Sequence, residues 1–306
     1  MRIFPVPFSN VSHERNIADT KGTHAAPLRI RDIYEKWQAH GVSFLSDEFL
    51  PAALEFDKLL YHEFYGSGYH LLKEVIAMFP EYQGGYIEHL AAKTYRSAKN
   101  GRVAFLGGDH SISYHLFRKF AEHHGRENSF LIALDAHPDL MNKGVKAPYH
   151  SDWLRFVIER DGFPAERVLA LGWREPEAEE IEFVDSHAGL EIFPMYVIRE
   201  NGLTPVLHDV AASIGEAKEA ARHPERFAVY VSMDFDVFDP SVAPGVTTQS
   251  QFGLSATEAI TLVKTLAKMP EVKAVDMVEI DPALDHADRT AKVAIAFLRE
   301  FSAYSP

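Results

Sequence analysis

The chain has 306 residues, 46% of them hydrophobic, which is ample for one buried core and fits a single α/β domain over 1–306. Its 44 acidic and 31 basic side chains leave a net charge of −13, and no block of Lys and Arg relieves it, which argues against a nucleic-acid partner. The absence of cysteine excludes disulfides, thiolate metal sites and cysteine nucleophiles, and the lack of a long apolar run or signal-like start predicts a soluble, cytoplasmic protein with no membrane partner.

In chain order, "MRIFPVPF" opens as a strand, and 66–100 predicts two helices split at "PEYQGG" and ended by "KNG". "RVAFLGG" (102–108) is a strand, and "SISYHLFRKFAEHHG" a helix with Ile112, Leu116, Phe117 and Phe120 on one face and Gly125 as its stop. "SFLIALD" (129–135) is again a strand, and "SDWLRFVIERDG" a helix starting on Ser151 and stopping by Gly162. "RVLALGW" (167–173), "LEIFPMYV" (190–197) and "FAVYVSMD" (227–234) follow as strands. "SATEAITLVKTLAKM" opens on a capping box, Ser255 with Glu258; "VKAVDMVEI" (272–280) is a strand, and "TAKVAIAFLREF" a closing helix. Most strands are apolar on both faces, as parallel strands covered by helices are, so the pattern predicts a doubly wound parallel sheet.

Ligands in such sheets bind beyond the carboxyl ends of the strands. Here "AFLGG" runs into Asp109 and His110, and "LIAL" into Asp135, His137 and Asp139. "VYVSM" runs into Asp234, Asp236 and Asp239, and "DMV" into Glu279 and Asp281. An isolated D-x-H-x-D has an ordinary alternative, a helix-capping aspartate beside a surface histidine, and an acidic loop is the alternative for "SMDFDVFDP" (232–240). Together they are harder to dismiss, because carboxylates crowded at one edge repel unless cations sit among them. In an extended backbone the alternate side chains of Asp135, His137 and Asp139 would share one side. With His110, Asp234 and Asp236 they make four carboxylates and two imidazoles, enough for two divalent ions. Oxygen-rich ligation with some imidazole and no sulfur favours manganese, with iron, cobalt, zinc or magnesium behind it, and such a pair activates water, so the expected chemistry is hydrolysis.

"GGDHS" (107–111), "DAHPD" (135–139), "SMDFDVFDP" and "EIDPALD" (279–285) resemble, in order, the four signatures of the ureohydrolases, the family of arginase, agmatinase and formimidoylglutamase. "GTHAAPLRIRD" is a weaker N-terminal echo of the same family. The resemblance implies a three-layer α/β fold with about eight parallel strands, two Mn2+ per subunit, and a homo-oligomer, trimer or hexamer. It implies His110, Asp135, Asp139 and Asp234 on one metal, and Asp135, His137, Asp234 and Asp236 on the other. It makes Glu279 the partner of a substrate guanidinium, which suits a planar cation facing a fixed carboxylate. His150 in "APYHSDW" corresponds to the histidine that shuttles a proton to the leaving amine, a role suited to imidazole.

The chain departs from the family around His150: family members usually have His-Gly where it has His-Ser, and the preceding loop is shorter. In that loop, "LMNKGVKAPYHS", only Asn142 stands near the position of the arginase asparagine that grips substrate, and Lys143 and Lys146 suit an anionic group. "GWREPEAEE" (172–180) resembles the arginase segment bearing an acid near the substrate's α-amine, which suggests Glu177 or Glu175, the alternative being a helix start rich in Glu. The expected function is a hydrolase of a guanidino or amidino C–N bond that releases urea from an arginine- or agmatine-like compound. The rivals are a formimidoylglutamase releasing formamide and a metal-binding relative without activity. A dinuclear phosphoesterase would need an Asn-His pair and a closing Gly-His-x-His that the chain lacks.

Overall fold

The computed structural model describes residues 1–8, 22–39, 55–56, 80–98, 101–144 and 147–304. Eight strands form one wholly parallel sheet: β1 (Arg2–Val6), β2 (Glu55–Phe56), β3 (Val103–Gly107), β4 (Ser129–Leu134), β5 (Val168–Leu171), β6 (Glu191–Phe193), β7 (Ala228–Asp234) and β8 (Val272–Val278). Their spatial order is β2-β1-β3-β8-β7-β4-β5-β6. The β8 and β7 pair thus lies between β3 and β4, which are consecutive in sequence, and the four strands carrying the acidic motifs are the four central neighbours.

Each central strand buries both of its faces. Ala104, Leu106, Ile132, Leu134, Val231 and Met233 pack on one side of the sheet, and Val103, Phe105, Leu131, Ala133, Ala228 and Tyr230 on the other. The first face is covered by α1 (Ala26–Ala39), α6 (Met195–Asn201), α7 (Leu203–Glu219), α8 (Ala256–Lys268) and α9 (Arg289–Ala303). The second is covered by α2 (Pro80–Ala98), α3 (Ser111–His124), the short α4 (Trp153–Arg155) with its π-helical continuation Phe156–Arg160, and α5 (Ala178–Ser186). This is the expected doubly wound sheet, and the continuous apolar runs reflect burial on both faces. Among the described residues no helix is long and apolar enough to cross a membrane.

Two expected elements differ, and a third is met only in part: α2 starts at Pro80 with "PEYQGG" as its first turns, where Gly84 lies so close to His115 of α3 that a Cβ would stand 2.4 Å from the imidazole. The rest of that region, 66–79, lies outside the described residues, as does Lys146. "LEIFPMYV" is a strand only to Phe193; Pro194 then precedes α6, since its ring cannot continue a ladder. The helix after His150 begins at Trp153, two residues later than Ser151. Helix α7 was not anticipated, although its buried Leu203, Val206, Leu207, Val210 and Ile214 follow helical spacing. The Ser255–Glu258 capping box is present at the start of α8.

Candidate metal centre

The glycines of "GGDHS" let β3 turn tightly against the N-terminal strand: a Cβ on Gly108 would stand 1.7 Å from the Phe8 carbonyl oxygen. The turn delivers His110 to the start of α3, buried beneath the carboxyl edge of the sheet. Around its Nδ1 lie one oxygen each of Asp135, Asp139 and Asp234, at 3.0, 2.9 and 3.2 Å. None is placed to accept a ring N–H from that nitrogen. A nitrogen amid three carboxylate oxygens, with no hydrogen bond among them, is an arrangement that a cation at its centre would satisfy.

The other ring nitrogen explains why Nδ1 is available. His110 Nε2 lies 2.9 Å from Ser232 Oγ, and that hydroxyl donates its own hydrogen to Asp276 Oδ1, also at 2.9 Å. Ser232 can therefore only accept from the imidazole, so the ring proton sits on Nε2 and Nδ1 keeps its lone pair. Asp276 is wholly buried on β8 and also accepts from Tyr230 Oη at 2.6 Å and the Met233 amide at 3.2 Å. Burial pushes its carboxyl up, against the pull of His110 and these donors.

A second group shares Asp135. His137 Nδ1 is 2.8 Å from Asp236 Oδ2 and 3.6 Å from Asp135 Oδ1, and its Nε2 is 3.5 Å from Glu175. Two ligand sets thus stand side by side, His110–Asp135–Asp234 and Asp135–His137–Asp236, with Asp139 beside the first. Backbone amides hold the acids: Ala136 donates to Asp236 at 3.0 Å, His137 to Asp135 at 2.7 Å, and Asp236 to Asp234 at 2.8 Å. The "DAHPD" ligands are not gathered by strand alternation. The ladder ends at Leu134 and the chain bends, with Asp139 in the left-handed region at φ 54°, so Asp135 and Asp139 turn to His110 while His137 turns to Asp236.

Electrostatics point the same way. Burial and the charge of Asp135 push Asp139 and Asp234 up, with Asp236 adding to the rise at Asp234. Burial and Asp135 raise Asp236 as well. Burial raises Asp135, but the His110 and His137 imidazoles beside it outweigh that and hold it down. Both imidazoles are driven up by the surrounding acids in spite of burial. The side chains alone thus gather protons to balance crowded negative charge, and divalent cations would take the protons' place.

Glu279 closes the site from β8. It is buried at φ 60°, its Oε1 accepting the His110 amide at 2.8 Å and its Oε2 the Thr247 hydroxyl at 3.1 Å. Burial, with repulsion from Asp109, raises it well above the usual carboxylate range. A cavity of about 350 Å³ opens over the acids and reaches Lys143, His150, Glu175 and Glu177 at its mouth.

The structure brings together His110, Asp135, His137, Asp139, Asp234, Asp236 and Glu279, with His150 and Glu177 lining the same cavity. Asn142 is turned away into a local bend, its Oδ1 accepting the Gly144 amide at 3.1 Å, and Lys143 lines the cavity instead. Asp281 belongs to the fold, where it accepts the Gly22 amide at 3.2 Å. Sequence reasoning missed Ser232, Asp276, Thr247 and Trp153; the signal for Asp276 was an acid inside an apolar strand.

The family model for the arginase family matches residues 1–303. The formimidoylglutamase of Bacillus subtilis (strain 168) is 30% identical over 190 residues, 62% of this chain and 56% of that protein. The arginase of Bacillus caldovelox is 29% identical over 226 residues, 69% and 72% of the two chains, and the agmatinase of Bacillus anthracis 31% over 197 residues, 64% and 61%. The match to the Bacillus subtilis formimidoylglutamase thus spans a little over half of that relative's length. In three dimensions, the structure of the same formimidoylglutamase aligns with a TM-score of 0.76 at 22% identity, covering 99% of this chain and 86% of that one. Arginase from Bacillus subtilis aligns at 0.70 and 22%, covering 98% and 97%. These structural likenesses bear on the fold.

Proposed function

The chain belongs to the arginase family, and from that premise we propose that it is a dinuclear manganese hydrolase cleaving a guanidino or amidino C–N bond. The observation that carries the reading is the pair of candidate ligand sets sharing Asp135, with the buried Glu279 lining the same cavity. His110, Asp135, Asp139 and Asp234 would hold one ion, and Asp135, His137, Asp234 and Asp236 the other. The oxygen-rich donor set with two imidazoles suits Mn2+. When bound, the metal pair supplies Lewis acidity and lowers the pKa of water in the cavity.

The protein's own groups then account for binding and proton traffic. Glu279, fixed by the His110 amide and Thr247, takes the planar cation and aims its central carbon at the metal centre. His150, at the mouth, gives a proton to the departing nitrogen as the C–N bond breaks. Glu175, which accepts from Ser250 Oγ at 2.5 Å, steadies the outer nitrogen of His137. Water adds across the bond, so a guanidino substrate gives urea and an amine. In this reading residues 1–306 are one arginase-like domain, and the protein works as a homo-oligomer in the cytoplasm.

A second reading, a formimidoylglutamase that releases formamide, is favoured by Lys143, a cation at the cavity mouth suited to a substrate carboxylate. Glu177 lines the same cavity while its carboxylate caps the start of α5, and an acid there suits an α-amine and an arginine-like tail. Incubating the Mn2+-loaded protein with arginine, agmatine, guanidinobutyrate, guanidinopropionate and formiminoglutamate, with urea and formamide assayed separately, decides between them. Urea from one compound, abolished in Asp135→Asn, supports the leading reading and formamide the second. Neither product from a protein holding two ions would count against both.

A further inference from the structure

We propose that Trp153 is a positioning residue of the metal centre, fixing Asp139 through its indole N–H and covering His110 with its ring. The inference rests on the metal-centre reading above. Trp153 is 1% exposed, and its Nε1 donates to Asp139 Oδ2 at 2.8 Å. That same oxygen lies 2.9 Å from His110 Nδ1. The indole also packs on the His110 imidazole, with centroids 4.6 Å apart and planes inclined at 36°. One side chain therefore touches two members of the His110 ligand set and sets the rotation of the Asp139 carboxylate.

The contact matters because Asp139 is not held as the other ligands are. Ala136, His137 and Asp236 amides fix Asp236, Asp135 and Asp234, whereas Asp139 sits on left-handed backbone at φ 54°. Such a conformation persists only where its surroundings enforce it. What encloses it is the segment returning through His150: Met141 N donates to Ser151 O at 3.1 Å, Arg155 N to Asp139 O at 3.3 Å, and an Arg155 guanidinium nitrogen to Leu140 O at 3.1 Å. Trp153 is the side chain by which that segment reaches the metal ligands. An indole N–H only donates and, once buried, needs an acceptor, so it orients Asp139 without competing for the ion. The consequence is a coupling: the segment carrying His150 must be seated for the His110 side to hold its cation, while the His137 side stays independent of Trp153.

The test uses the full chain, stripped of metal and titrated with Mn2+ by equilibrium dialysis. Wild type should bind two ions. Trp153→Phe keeps a ring over His110 but loses the donor, and should weaken one ion by roughly 10–100-fold while leaving the other at wild-type affinity. In electron paramagnetic resonance, the coupled two-ion spectrum of wild type should give way to that of an isolated Mn2+ at matched concentration. Trp153→His, which restores a ring N–H, should recover part of the lost affinity. The proposal is overturned if Trp153→Phe binds both ions like wild type, or if both affinities fall equally. A wild-type protein that takes up no Mn2+ overturns the metal-centre reading and this inference together. Should the phenylalanine variant lack a folded near-ultraviolet circular dichroism spectrum, Trp153→His decides alone: two ions held supports the proposal, and one overturns it.

Discussion

Asp152 sits two residues beyond His150 and is buried at 1% exposure. Its Oδ1 accepts the Tyr149 amide at 2.6 Å, while its Oδ2 has no hydrogen-bond partner among the described residues. Burial raises its carboxyl from 3.8 to about 7, against the pull of the Tyr149 amide, Lys143 and Arg155. Between pH 4 and 7 the folded protein keeps this proton and the unfolded chain has lost it, so stability falls as pH rises through that window and levels off above it. The two pH units from 5 to 7 correspond to about 2.7 kcal/mol. Asp152→Asn keeps an oxygen for Tyr149 and removes the charge. Its unpaired amide costs about 1–3 kcal/mol at every pH, so comparing two pH values cancels that cost. Relative to wild type, Asp152→Asn should therefore gain about 3 kcal/mol between pH 5 and pH 8, read from urea denaturation of the metal-free proteins at both pH values. A difference between the two proteins that is the same at pH 5 and pH 8 would refute the assignment of a neutral, buried acid beside His150.

Two further substitutions probe the centre. Glu279→Gln keeps an oxygen for the His110 amide but removes the charge facing the substrate cation; kcat/KM should fall roughly 10²–10³-fold with Mn2+ stoichiometry intact, checked by steady-state kinetics and metal analysis. Ser232→Ala cuts the link between His110 Nε2 and Asp276, leaving both buried groups short of a partner; stability should drop by about 1–3 kcal/mol in urea denaturation, and Mn2+ should bind more weakly in dialysis.

Much of the candidate centre was legible because its acids and histidines lie in short motifs at strand ends, where local order alone delivers polar groups to a sheet edge. His110, the "DAHPD" acids, Asp234, Asp236 and Glu279 all fall where that logic puts them. The logic failed where a side chain's direction depends on a distant partner. Asn142 looked available in the loop, yet its nearest satisfiable contact is the amide of Gly144, two residues on. Nothing in the sequence around Trp153 marks it out, and only folding shows that its N–H reaches Asp139 across 14 positions.

By itself, then, the sequence determined the kinds of atoms in the centre and the periodicity of the strands, since both are properties of neighbouring residues. The tertiary structure decided which strands lie side by side, and with it everything that depends on distance. In the order β3-β8-β7-β4, Ser232 on β7 meets His110 after β3 and Asp276 on β8, three groups from well-separated stretches of chain. That arrangement places the proton on Nε2 of His110 and leaves Nδ1 open among three carboxylates. Strand adjacency follows from how helices cover two apolar faces at once, a long-range packing outcome that no local run of residues encodes.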